Sequence, residues 1–419
     1  MEEQVNVPQI FATDPKLFRF LTKVIHDQGL TPGVEWKVCE GSSRGDNFIA
    51  VIKQVVHVAE GGTALNLLVK SAPRNAARRD AFGIREQFLN EIDVYEKAIP
   101  RLKSLVGFDL PVADLYGATS SHGEETILLA DLKELGFCMA DRRQGLSKEQ
   151  CAAVLRALAQ LHAASFALRE GSPEEFAALA ESVREMFWTQ PRRHAFEPFM
   201  RNANKETLRL IREYYGSADC DNEYSRAFRQ ISDLGYDFLA NIVTKVPENK
   251  KVLLHGDCWT NNLLFKTNDD GFVSAKLLDF QLARISAPMI DLIFFLFTST
   301  KPKNVGNYLE EFLRVYYEEF ERRLKTAGFT AAKLYPESEL LADWIACVPY
   351  GLVVAGILAP ALYCPDECLP NLESVKENSR EAFVNEYGKV MRANTPESKE
   401  HLGQLVKLCV EREWLRILN

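Results

Sequence analysis

No part of this sequence repeats at a fixed period, and none is compositionally simple enough to read as a linker. Repeat arrays are thereby excluded. The first residues, MEEQVNVPQIF, are acidic and hold no apolar run of the kind a secretory signal needs. Cysteine offers no framework. The nine are an odd number and scattered, and the one close pair, Cys364 and Cys368, has no second pair at zinc-site spacing. Reduced thiols and a cytoplasmic location are expected. Positive charge is in deficit, with a net charge of −8 and a pI near 5.6. Nucleic acid and anionic membrane are poor partners for such a surface. The basic clusters at 74–79 (RNAARR), 142–143 and 192–193 are expected to be solvated. An uninterrupted membrane-length apolar run is also missing. The longest, 340–363, contains Asp343, Pro349 and Pro360, which favours a buried helix or helix pair over a span.

What the chain does have is size and apolar content. Its 419 residues, 47% of them hydrophobic, suffice for a large core and for two lobes sharing a cleft. Texture changes near Asp131: strand-rich with one helix before it, mostly helical after it. The expected organisation is a nucleotide-binding lobe over 1–131 and a helical lobe over 132–419. VEWKVCE (34–40), FIAVIKQVVHV (48–58) and LNLLVKSA (65–72) read as an antiparallel meander, with a turn at 59–64. A helix from about 83 to 99 carries Phe88, Ile92, Tyr95 and Ile99 on one face and is expected to stop at Pro100. Strands near 112–118 and 125–129 complete the sheet. Ser147 with Gln150 forms a capping-box signal for a long helix. KVLLHGD, NNLLFK and SAKLLDF read as a hairpin turning at TNDDGF, followed by four or five helices.

Chemistry concentrates around that hairpin. In HGDCWTNNLLF, Asp257 and Asn262 are five residues apart, and LLDFQ places Asp279 on a later strand end. A phosphoryl-transfer site uses a carboxylate and an amide at this offset, with a second carboxylate downstream. The attacking hydroxyl needs a proton acceptor, which Asp257 can be. The magnesium on a nucleotide's phosphates takes oxygen ligands, which Asn262 and Asp279 offer. Upstream parts follow in order. GSSRGDN includes Gly41, Ser42, Ser43, Gly45 and Asn47, with glycines that let backbone amides approach phosphates. Lys70 closes an apolar strand. Of the two carboxylates on the next helix, Glu91 flanks the apolar face and Glu86 lies opposite, so Glu91 is the expected partner of Lys70. In ILLADLKELGF (127–137) the backbone at Leu129 to Asp131 is expected to meet the adenine edge, by analogy with two-lobed nucleotide sites.

HGDCWTNNLLF with LLDFQ, preceded by SSRGDNFIAVIK, LLVK and FLNEIDVYEKAIPRL, resembles the ecdysteroid-kinase-like family of insects and other animals. That family is related to choline kinases and aminoglycoside phosphotransferases. The resemblance covers roughly residues 30–325 and, more loosely, the rest. It implies an α+β, two-lobed, protein-kinase-like fold: a small antiparallel-sheet N-lobe and a mainly helical C-lobe. It also implies ATP- and magnesium-dependent phosphorylation of a hydroxyl on an ecdysteroid or similar lipophilic alcohol. Carried over, Asp257 matches the catalytic base, Asn262 and Asp279 the magnesium ligands, Lys70 and Glu91 the nucleotide pair, and 41–47 the phosphate loop. Asp291 matches a support of the catalytic loop, though a favourable helix N-terminal position explains it equally well. His255 reads as a structural hydrogen-bonder, His162 as a core histidine, and Cys258 and Trp259 as packing.

Two features argue against a protein substrate. Few residues separate Asp279 from the apolar helix beginning near Asp291, leaving no room for a long activation segment. Gln281 also stands where a glycine would allow φ > 0, so a Phe-flip switch is not expected. The aromatic stretch 186–200 and the apolar 344–356 would suit a lipophilic acceptor, and both equally suit ordinary core. A choline- or aminoglycoside-type kinase for a polar alcohol, or a non-catalytic lipophilic-ligand binder, are the alternatives.

Overall fold

The structure is a computed structural model describing residues 14–29, 35–41, 49–58, 64–372, 375, 378–391 and 393–415. The first element is a helix, α1 (Pro15–Asp27), which the strand-rich reading of this region passes over. Its signals are nonetheless present: the Asp14 side chain caps the Leu17 amide, and Pro15 opens the first turn. The strands β1 (Glu35–Glu40), β2 (Val51–Val58) and β3 (Ala64–Ser71) form the expected meander. Two helices follow, α2 (Ala76–Phe82) and α3 (Ile84–Asp93). A π-turn over Val94–Ala98 leads into α4 (Ile99–Leu105). Pro100 therefore does not end the helix. The Ile99 amide reaches back to the Val94 carbonyl, and this widened turn accommodates a residue with no N–H to give. With β4 (Leu115–Thr119) and β5 (Thr126–Ala130) the sheet is antiparallel throughout, in the order β1-β2-β3-β5-β4.

The two-residue period of a strand decides what this sheet presents. On β3, Leu67 and Val69 pack with Val55 and Leu128 against Leu21, Val24 and Ile25 of α1. Leu68 and Lys70 must then point to the other face, towards α3 and the cleft.

After a 3-10 turn (Leu132–Leu135) and the short β6 (Cys138–Met139), the chain becomes helical. The helix α5 (Lys148–Gly171) starts on the expected capping box, with both reciprocal bonds between Ser147 and Gln150 formed. It is followed by α6 (Pro173–Ser182), α7 (Gln190–Tyr214), α8 (Glu223–Asp233) and α9 (Gly235–Thr244). Then come β7 (Val252–Leu254), β8 (Leu263–Thr267), β9 (Val273–Leu277) and β10 (Arg284–Ser286). Only β8 and β9 make a hairpin. The strand β7 pairs with β10 instead, so the catalytic stretch joins two small sheets rather than one. Helices α10 (Pro288–Ser299), α11 (Pro302–Thr326), α12 (Ala331–Leu334), α13 (Glu337–Leu362), α14 (Arg380–Met391) and α15 (Pro396–Glu411) complete the lobe.

The fold is thus α+β and two-lobed, a small antiparallel sheet with its helices against a mainly helical remainder. Two helices, α5 and α13, are long and apolar enough to cross a membrane, and both are mostly buried inside the protein. The helix α13 runs continuously through Pro349.

Several arginines expected at the surface are buried. Arg79 holds the buried Glu125, Nη2 to Oε1 at 2.8 Å. Arg142 donates Nη1 to the carbonyls of Ala361, Leu362 and Cys364 at 2.9–3.1 Å, closing the C-terminus of α13. Arg78 is also buried. The clusters at 74–79 and 142–143 mix surface and structural cations, because a guanidinium can be enclosed once carbonyls or a carboxylate meet its donors, whereas Arg192 and Arg193 are only half-buried. Finally, α14 reaches back to the N-lobe. The Tyr387 ring meets Phe82 of α2 at 5.5 Å, and Arg380 lies 3.8 Å from Asp80. Val390, at the other end of α14, is buried against Ala361, Cys364 and Leu369.

Candidate active site

Lys70 lies between two carboxylates, with Nζ 2.5 Å from Glu91 Oε2 and 2.7 Å from Asp279 Oδ1. All three are buried or nearly so. Burial alone would lower the Lys70 pKa, but the charges of Asp279 and Glu91 more than reverse that, so the ammonium is retained. Burial pushes the Glu91 carboxyl up, against the pull of Lys70. Gly41, just past β1, passes close to β2: a Cβ there would lie 2.6 Å from Ile52 Cγ2. Ser42, Ser43, Gly45 and Asn47 lie outside the described residues. At the connector, the Ala130 amide donates to the Asp114 carbonyl and the Asp131 amide to the Asn66 carbonyl. Those two N–H groups are engaged within the protein. Leu129 is a buried strand residue, and the Asp131 carboxylate caps the Lys133 amide.

The catalytic stretch leaves β7 and is held from three sides. Asp291, in the first turn of α10, accepts the His255 amide at 2.7 Å and the Gly256 amide at 2.9 Å. It also meets His162 Nε2 at 3.2 Å, and His162 Nδ1 meets the Tyr316 hydroxyl at 3.0 Å. The loop-support reading and the helix-terminus reading of Asp291 therefore hold together. His255 pairs Nε2 with the Leu278 carbonyl at 2.7 Å, and its Nδ1 accepts the Asp257 amide at 3.2 Å. With one nitrogen donating and the other accepting it is neutral, and burial lowers its pKa accordingly. Gly256 adopts φ 81°, and a side chain there would collide with the Leu282 carbonyl. Asn262 donates Nδ2 to both the Asp257 carbonyl, at 2.9 Å, and Asp257 Oδ2, at 3.0 Å. The Gln281 side chain also bonds to Asp257.

Asp279 takes a left-handed conformation at φ 65°, uncommon for a non-glycine residue. The strain sits on the carboxylate residue itself and not at Gln281. Burial, with the Asp279 charge, pushes Asp257 up to about 7, while Asn262, Arg284 and Gln281 pull it back.

Arg284 and Glu185 are the site residues that sequence reasoning missed. Arg284 is buried and donates to Gly256 O at 3.2 Å and Leu282 O at 3.3 Å, tying the Asp257 loop to the Asp279 loop. Its Nη1 lies 3.2 Å from Glu185 Oε2. The other Glu185 oxygen accepts the Phe187 and Trp188 amides at 2.7 and 2.9 Å. The aromatic stretch is thereby anchored to the site. Trp188 stacks with Tyr236 at 5.6 Å and meets Tyr350 of α13 at 5.8 Å. An arginine five residues after an aspartate at a strand end was the available signal, but its partner lies far upstream.

The residues fit a magnesium ion bound with a nucleotide. Among the described residues no three His, Cys, Asp or Glu side chains assemble a site made by protein alone. Magnesium on phosphates needs only one or two protein oxygens. The Asn262 nitrogen is engaged with Asp257, which leaves its oxygen as the donor.

A sheet lobe carrying a buried lysine–glutamate pair, facing a helical lobe carrying an aspartate–asparagine loop and a second aspartate, defines a kinase-like protein of the small-molecule class. The sequence model of the Ecdysteroid kinase-like family matches residues 44–329, more than half of the chain, and the chain belongs to that family. No curated protein matches it. Among solved structures it is similar to an ethanolamine kinase of Plasmodium vivax, at 12% identity over 91% of this chain and 88% of that one, TM-score 0.40. It is similar to a microcompartment-associated aminopropanol kinase at 11% identity over 96% and 100%, TM-score 0.45. A choline kinase from Streptococcus pneumoniae aligns at 13% identity over 90% and 98%, TM-score 0.38.

Proposed function

We propose that this protein transfers the terminal phosphoryl group of ATP to the hydroxyl of a neutral, lipophilic alcohol of the ecdysteroid kind. The observation that carries the reading is the convergence on one cleft of Lys70, Glu91 and Asp279 with Asp257 and Asn262. Asp257 orients the acceptor hydroxyl and takes its proton. Its elevated affinity for protons suits that task. Lys70, held extended by Glu91, meets the α/β-phosphates. Asn262 and Asp279 would hold magnesium, which neutralises charge developing on the transferred group. Arg284 fixes the spacing between the two loops, so the acceptor stays in line with the phosphate.

A neutral acceptor is favoured over a cationic one by the charges beside Asp257. Glu185 is paired to Arg284 and caps two amides, so it offers little to an ammonium group, and Arg284 would repel one. The aromatic wall around Trp188 and Tyr350 favours an apolar body. The test is phosphate transfer from magnesium–ATP to a panel of ecdysteroids, other lipophilic alcohols, choline and an aminoglycoside. Asp257→Asn is expected to lose at least about a hundredfold in turnover. Wild-type turnover in that variant would overturn the role of Asp257, and preference for choline would overturn the neutral acceptor.

A further inference from the structure

One cavity lies away from the cleft. It has a volume of about 770 Å³ and opens between α5, α11, β9 and the segment 108–111. Two cations on its wall, Arg156 and Lys276, are each half-buried. Among the described residues neither has a carboxylate within ion-pair distance. Arg156 donates to the Val273 carbonyl at 3.3 Å and lies 4.8 Å over the Phe272 ring. Lys276 donates to the Val112 carbonyl at 3.3 Å. The nearby Glu319 is engaged by Gln160, Arg322 and Arg323. Burial lowers the pKa of Arg156 against the pull of the Glu319 charge, and burial with the Lys103 charge lowers that of Lys276 against the pull of Asp114 and Asp109. The rest of the wall is apolar at Phe108, Leu110, Phe137 and Ala157 and polar at Asp109, Gln160, Glu319, Arg322 and Arg323.

A partly desolvated cation held only by a carbonyl or a ring, with no carboxylate at ion-pair distance, is costly until an anion joins it. Two of them in an acidic chain, beside the apolar part of that wall, describe a ligand with a charged head and an apolar body. We infer that this cavity binds an amphipathic organic anion, its phosphate or carboxylate head facing Arg156 and Lys276 and its apolar part against Phe108 and Phe137. The site is separate from the proposed reaction and stands or falls without it.

Calorimetric titration of the full chain with octyl phosphate and with octanoate distinguishes the two heads, and octanol and inorganic phosphate supply the body and the head alone. One or both amphiphiles are expected to bind saturably, at least about tenfold more tightly than octanol or inorganic phosphate. The double variant Arg156→Gln, Lys276→Gln should weaken that binding about tenfold or more, with its melting temperature retained. Ser274→Trp, which fills the cavity while leaving both cations, should block it. Absence of saturable binding, inorganic phosphate binding as tightly as the amphiphiles, or unchanged affinity in both variants would overturn the site.

Discussion

Asp257 shows how one side chain carries both function and cost. Its carboxyl binds a proton more tightly in the folded protein than in the unfolded chain, because burial and Asp279 disfavour the charge. The folded-state pKa is raised, so the associated stability is fully present below the ordinary carboxylate range and is lost as pH rises through about 7. Asp257→Asn removes the ionisation and should therefore stabilise the nucleotide-free protein, by a few kcal/mol at most at pH 8 and by much less at pH 5. Denaturant melts at the two pH values check this; an equal effect at both would show that Asp257 is not strained by its charge. That Asp257 and Asn262 come together was legible in the sequence, because the loop fixes their spacing, and the proposed reaction would fix their residue types and that of Asp279. Arg284 and Glu185 were not, since a pair formed between distant segments leaves no spacing to read. The left-handed φ of Asp279 was equally hidden, because a non-glycine residue adopts that region too seldom for its identity to announce it.

Among the elements, α10 does more than fill the core. Its first turn delivers Asp291 to two loop amides and to His162, all buried. Asp291→Ala leaves those donors unsatisfied and should cost about 3 kcal/mol of stability in a denaturant melt. Asp291→Asn, which keeps one acceptor oxygen, should cost less. Lys70→Met tests the sheet side of the cleft: β3 still pairs, but calorimetry should show weaker binding of magnesium–ATP by at least about tenfold. Strand alternation and the capping box made β3 and α5 readable in advance. The helix through Pro100 was misread because a single π-turn satisfies the backbone at a residue that ordinarily breaks a helix. The partnering of β7 with β10 escaped for a related reason: consecutive strands usually pair, and here the loops that carry the chemistry intervene.

At the scale of the whole molecule, the two lobes are expected to respond to nucleotide together. A thermal melt with magnesium–ATP at a hundred times its dissociation constant should show about 2.7 kcal/mol of added stability, seen as one transition moving upward. No shift would leave the fold as a scaffold for ligand capture. The contact of α14 with α2 adds a temporal dimension. Helix α14 follows α2 in the chain only after most of the helical lobe, so α2 leaves the ribosome long before it. The early lobe must therefore wait, with the side of Phe82 that Tyr387 covers left open, until α14 has been synthesised. A chaperone that shelters nascent aromatic surface has its window in that interval.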